Sequence, residues 1–544
     1  MVSLLMSWRR VPGLQPMALA GLGVLATGVV LGCMDIVLTL HAMVRHQQEG
    51  ERQALTLAEL EARTLNGFAM TNRTVAAAYV AMNHAHAASP AALHASQSVE
   101  LLGQMMGAVH SSQCAGFVAT LDAVRLIGER DTERTVGMLN AAEFARAVEG
   151  TPCGTLDRLL GPAEAPLGLP AGEQREGTEA GCASRDGCFM KFRTARDSDS
   201  GSSRTHVYSY LAGSQLTGAR DEKSTLFMAR VGHLPPEDAR DPHGLFEPSW
   251  QATLPEGSIL GSRMLEVLEW RHGRSEEDGW EARFEVVRRA TQGMPAYKAV
   301  MPRALASDYV GVGSSIAVGW LMTRDTPEEV LGFYREVLGR TGLPVLFHRY
   351  HANAGYVGYR DPKTQELHLV SVLAQGTETV VLVSHASADT IAGALPGPLP
   401  PELPVLERLQ PRVVMRFQEE GHERLSGLAE APRTQAEALV DFYQQVFRTH
   451  GWSLEQPARR FAGTISLRAR RGPVEISTLI QPQARGARLY FTLDRLRDPL
   501  RREWYRSPLQ RSVLCEQAES LERPDARALC EISNSQFAVE RTVP

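Results

Sequence analysis

His84, His86 and His94 crowd one stretch of the chain, and His348 with His351 spells an HxxH, so metal binding is the first chemistry to weigh. The spacing argues against it. Alternate residues point to different sides of a helix, whereas helical zinc pairs sit four apart, and the HxxH has no third ligand beside it. Both groups read as packed or solvent-facing imidazoles, and no metal or cofactor is expected. Residues 311–315, GVGSS, form a glycine-rich turn of the kind that holds phosphate, but strand-like sequence follows and no helix N-terminus is at hand. No Walker A, HExxH, GxSxG or cysteine-nucleophile context occurs. No catalytic residue is assigned, and the chain reads as non-enzymatic.

Cysteine is the remaining reactive type. Cys33 lies inside an apolar run, and Cys114, Cys153, Cys182, Cys188, Cys515 and Cys530 follow it. An even number in an exported segment points to disulfides, and neighbour pairing joins Cys114 with Cys153, Cys182 with Cys188, and Cys515 with Cys530. No CxxC or Cys/His spacing of the structural zinc type is found.

Export rests on the first forty-odd positions. Arg9 and Arg10 precede residues 17–40, MALAGLGVLATGVVLGCMDIVLTL, a run of 24 residues whose one charge is Asp35. Such a helix spans a bilayer core of about 30 Å. The flanking charges place the N-terminus in the cytoplasm and everything after Arg45 outside, as a single-pass inner-membrane protein with its bulk in the periplasm. Residues 30–33, VLGC, resemble a lipoprotein cleavage box, so lipidation at Cys33 and ordinary signal cleavage stand as alternatives to a retained anchor. Gly28 and Gly32 form a GxxxG step that permits close helix packing in lipid. Asp35 is costly in lipid and calls for a partner or an interfacial position.

Beyond the anchor the composition is that of ordered globular protein, 43% hydrophobic and 22% charged, and a net charge of -5 leaves no footprint for nucleic acid. An anchor segment (1–45) leads into an alanine-rich helical stalk (46–165), with no proline between Pro16 and Pro90 and a second helical zone folding back over 95–130. Loops rich in Gly, Pro and Ser then alternate with strand-like runs at 205–211, 225–231, 266–273 and 280–287, giving a mixed α+β domain (166–295). The C-terminal half is duplicated. Residues 325–343 align with 434–452 at an offset of 109, matching Glu328 to Glu437, Phe333 and Tyr334 to Phe442 and Tyr443, and Gly342 to Gly451. One strand before the helix (315–324; 412–418) and three after it predict two tandem β-α-β-β-β modules (296–395 and 396–497), joined by a proline-rich linker. In each helix the Phe is expected to face the sheet and the Tyr to keep its hydroxyl at the edge. A tail with its cysteine pair (498–544) closes the chain, and the fold class is α+β.

One stretch of the stalk carries a resemblance. LAELEARTLNGFAMTNRTVAAAYVAMNHAHA, preceded by PGLQPMALAGLG, is similar to the start of TadE/TadG-like proteins of tight-adherence (Flp) pilus systems, on Ala62, Arg63, Asn66, Asn72, Arg73 and Met82. The resemblance covers about the first 90 residues. The acidic residue usual near the start of a pilin-type apolar segment is missing, as is a von Willebrand-like metal-adhesion signature. It implies a non-enzymatic, membrane-anchored assembly component with other pilus or secretion subunits, or pseudopilin-like helices, as partners. Gly28, Gly32, Asn66, Asn72 and Arg73 are the candidate contacts to a partner helix. The alternatives are an exported ligand-binding or sensory protein that uses the tandem modules, and an anchored envelope hydrolase.

Overall fold

The computed structural model describes residues 15–88, 93–131, 203–211, 225–233, 283–309, 315–387 and 397–496 with single-residue or two-residue omissions, together with short pieces at 144, 148–149, 191–196 and 244–260. Helix α1 (Gln15–Ala88) is continuous over 74 residues and passes Gly50 and Gly67 without a break. At 1.5 Å per residue it is on the order of 110 Å long. Its first part stands bare, with Leu22, Val29, Ile36 and Leu38 all more than 60% exposed, and from Gly50 onward it is largely buried. This one helix is long and apolar enough to cross a membrane or to act as a signal. Helix α2 (Leu93–Asp131) returns antiparallel along it. Leu102, Met105 and Val109 pack on Val75, Ala76 and Val80 of α1, and Phe117, Leu121 and Val124 share a second cluster with Leu65 and Phe68.

Strands β1 (Val148–Glu149) and β2 (Lys191–Phe192) form a small pair, and β3 (Ala195–Arg196), β4 (Ser203–Leu211), β5 (Thr225–His233) and β6 (Trp250–Thr253) an antiparallel sheet in that order. Phe227, Ala229 and Val231 of β5 and Trp250 and Ala252 of β6 lie on Ala54, Leu55, Ala58 and Leu65 of α1. The sequence run expected as a strand over 280–287 is instead helical from 283 to 291. Its apolar spacing explains why: Val287 and Ala290 are buried three residues apart while Phe284 is half exposed, and Glu285 pairs with Arg288 at 2.6 Å in the same i, i+3 rhythm. The run at 266–273 lies outside the described residues.

The duplication is complete at the level of topology. Module 1 comprises β7 (Arg303–Ser307), β8 (Ala317–Thr323), α3 (Pro327–Gly339), β9 (Val345–His351), β10 (Ala354–Arg360), β11 (Glu366–Gln375) and β12 (Glu378–Ser387). Module 2 repeats it with β13 (Gln410–Glu419), β14 (His422–Pro432), α4 (Ala436–Thr449), β15 (Ser453–Phe461), β16 (Thr464–Arg471), β17 (Val474–Gln483) and β18 (Gly486–Leu496). The antiparallel sheets run β7-β8-β12-β11-β10-β9 and β13-β14-β18-β17-β16-β15. Each module therefore has one strand more on either side of its helix segment than the sequence pattern suggested. Residues 412–418, expected as the strand before the second helix, belong to β13, and β14 takes that place. Each helix is followed by a glycine in the left-handed region that a Cβ disfavours, Gly342 at φ +74° after α3 and Gly451 at φ +72° after α4.

The aromatic pair of each helix is oriented opposite to expectation. Tyr334 and Tyr443 are fully buried against their sheets, while Phe333 and Phe442 are half-buried at the margin. The ring sits where the helix meets the sheet, and among the described residues the Tyr443 hydroxyl has no hydrogen-bond partner.

Helix α3 covers one face of its sheet through Val330, Leu331, Tyr334 and Leu338, and α4 does the same through Leu439, Val440, Tyr443 and Phe447. The two opposite faces converge on the far end of the α1/α2 hairpin: Leu373, Val380 and Leu382 from the first sheet and Val413, Met415, Leu428 and Leu479 from the second join one cluster with residues 75–85 and 102–115. Tyr309 ties three parts together. Its hydroxyl donates to Ala77 O of α1 (3.0 Å), its carbonyl accepts from Arg416 N (2.8 Å), and its ring stacks on Phe417 at 5.7 Å.

Candidate functional site

The polar residues of α1 are spent inside the chain. Asn66 is buried and clips the backbone of Trp250 in both directions, its Nδ2 donating to the carbonyl and its Oδ1 accepting the amide, each at 2.9 Å. An amide side chain presents the same donor and acceptor pair as a peptide, so Asn66 serves as one rung of a ladder between helix and sheet. Asn72 donates to Leu245 O (3.0 Å) and accepts from Gln113 of α2 (2.8 Å). Further along, Asn83 donates to Ser371 Oγ and accepts from the Tyr350 hydroxyl, both at 2.8 Å. Tyr79 donates to the carbonyls of Val372 and Gly355. His84 meets Ser384 Oγ at 3.0 Å, and burial pushes its imidazole down to about 3, so it stays neutral. Burying so many polar groups is tolerable because most of their polar atoms find a partner; among the described residues His84 Nδ1 does not.

Of the candidate partner contacts, Asn66 and Asn72 are thus engaged within the chain, and Arg73 is half-buried beside them. Gly28 and Gly32 lie on the bare part of α1, where a Cβ would meet nothing within 4 Å. Cys33 is a free, exposed thiol in the same segment. Cys114 is buried and disulfide-bonded. Cys153, Cys182, Cys188, Cys515 and Cys530, and with them the expected pairings, lie outside the described residues, as do residues 311–314 of the glycine-rich turn.

The histidines weighed in the sequence regroup. His86 stacks near His348 (ring centroids 4.4 Å) and bonds the Tyr356 hydroxyl at 2.8 Å, while His351 sits exposed at the end of β9. A second histidine pair was not anticipated. On the face of the first sheet that carries α3, β11 and β12 set His368 directly opposite His385, with ring centroids 4.7 Å apart, and Glu366 lies two residues before His368 on the same face. One ligand atom from each of Glu366, His368 and His385 falls within 4.8 Å of the other two. Glu366 Oε2 reaches His385 Nε2 at 3.2 Å, and the histidine beside it holds this carboxyl below the usual range. His368 Nδ1 bonds Gln292 O at 2.8 Å, and Tyr359 stacks on its ring. The loop can reach so far in because Gly293 takes φ +73°; a Cβ there would strike the Tyr359 hydroxyl. The sequence signal was the period-two spacing of Glu366 and His368, but their partner 17 residues on follows only from the register of the hairpin.

No family model, no curated protein and no solved structure matches this chain.

Proposed function

We propose that the chain is a non-enzymatic, single-pass inner-membrane protein with its bulk in the periplasm, acting as an assembly or structural component of a Tad-like (Flp) pilus or secretion apparatus. The observation that supports this reading most is the continuity of α1. The membrane-length segment passes without a linker into the core of the exported part, where a sheet and the first module lie on it and the second module packs on its hairpin partner α2. A helix packed against these neighbours fixes the height and rotation of the modules relative to the bilayer, which an assembly platform needs and a tethered binder or hydrolase does not. The resemblance of residues 11–90 to TadE/TadG-like proteins names the kind of apparatus. Because Asn66 and Asn72 are occupied internally, subunit contact falls to the bare apolar segment around Gly28 and Gly32.

The test breaks the continuity. Replacing residues 46–50 by a flexible Gly/Ser segment in host cells leaves export and folding intact and abolishes pilus assembly or secretion, while photocrosslinkers at positions 28 and 32 of the unaltered protein capture pilin-type or platform subunits. Full assembly with the flexible segment, together with crosslinks confined to lipid, would overturn the reading.

A further inference from the structure

We propose that Glu366, His368 and His385 form a binding site for a divalent transition-metal cation of the zinc class. Two imidazoles and one carboxylate are the donor set that zinc and its first-row neighbours take, with the remaining coordination position left to water. A zinc ion holds nitrogen and oxygen at about 2.0–2.2 Å, so its ligand atoms stand roughly 3–4 Å apart. Atoms already gathered within 4.8 Å reach that spacing by small side-chain rotations.

Three independent features point to a cation and not to an ordinary packed pair. The first is tautomer control. The Gln292 carbonyl can only accept, so His368 Nδ1 carries the proton and Nε2 presents its lone pair, the arrangement in which metal-bound histidines are held by a backbone oxygen. The second is an unmet need: His385 is 8% exposed, and among the described residues its Nδ1 has no hydrogen-bond partner, while its Nε2 meets the Glu366 carboxylate at 3.2 Å. Leaving such a group unmatched costs free energy that a metal bond would recover. The third is the duplication itself. His368 lies 109 residues before Ser477, and where His368 faces His385 in the first hairpin, Ser477 faces Thr492 in the second. Glu475 stands at the place of Glu366 but is tied to Arg468 at 2.6 Å, whereas Glu366 pairs with no arginine or lysine among the described residues. The same hairpin therefore folds without the histidines, and only the first module has assembled the donors. Glu366 is about one-third exposed, which gives the ion a way in from solvent.

The experiment uses the full chain in detergent micelles, stripped with a chelator and titrated with Co²⁺ as a spectroscopic stand-in for zinc. One equivalent is expected to bind with the strong visible absorption of a low-coordinate cobalt site and to be displaced by Zn²⁺. Glu366→Gln and His385→Gln each weaken binding at least tenfold, and Glu475→Gln and His348→Gln leave it unchanged. Glu366 is partly exposed, so its variant keeps the fold even if the buried histidine variant does not. Unaltered affinity in Glu366→Gln, loss of binding in His348→Gln alone, or only the weak absorption of octahedral cobalt would each overturn the proposal.

Discussion

Single side chains decide how the long helix is held. Asn66 satisfies both backbone groups of Trp250, so Asn66→Leu leaves a buried donor and acceptor without this partner, a loss of about 2 kcal/mol, and hydrogen exchange at the Trp250 amide should accelerate accordingly. Tyr443 is the converse case. Its hydroxyl is buried with no partner among the described residues, so Tyr443→Phe removes a desolvated dipole while keeping the ring, and the thermal midpoint should rise slightly or hold. Asp325 supplies a pH dependence. Lys298 first, then the hydroxyls of Thr323 and Tyr297, hold its carboxyl at about 2, below the ordinary 3.8. A depressed carboxylate stabilises the fold fully above its unfolded value and loses that contribution as the proton binds. Thermal stability should therefore fall between about pH 4 and pH 2, and Asp325→Asn, already less stable at neutral pH, should show a shallower decline over that window.

Among elements, the two module helices differ in their starts. Thr326 and Glu329 make a full capping box on α3, whereas α4 begins at Gln435, whose side chain caps nothing. Gln435 is exposed and its backbone is extended, the conformation an N-cap serine adopts. Gln435→Ser should stabilise module 2 by about 0.5–1 kcal/mol, and Thr326→Ala should cost module 1 about 1 kcal/mol, both read as shifts in denaturation midpoint. The helices and their closing glycines were plain in the sequence because their signals are local: a duplicated block with its aromatic pair, and a glycine behind it. The extra strands were not. Residues 303–307 and 422–432 acquire their identity from pairing with β8 and β18, and 283–291 took helical form because a burial rhythm outweighed the strand-like composition of WEARFEVV.

For the molecule as a whole, Tyr309 is where three units meet: it follows β7 of the first module, its hydroxyl engages α1, and its carbonyl and ring engage β13 of the second module. Tyr309→Ala should cost about 3–5 kcal/mol by the usual cost of emptying a buried aromatic site. Hydrogen exchange should show the loss along β13 and around Ala77 together, with the sheet centre at β17 and β18 spared. Exchange confined to one side would mean that the modules are held to the hairpin independently.

The sequence by itself determined what local physics can encode: an apolar run long enough to span a bilayer, a proline-free alanine-rich helical stretch behind it, a duplicated helix with its glycine stop, and an α+β class. Only the tertiary structure decided where the polar residues of α1 go, because Trp250, Leu245 and Ser371 lie between 173 and 288 residues away from the asparagines that bond them. For the same reason it alone brought His385 across to His368. Cross-strand neighbours are chosen by register, and register is fixed by the burial of a whole sheet face rather than by the residues that end up in contact.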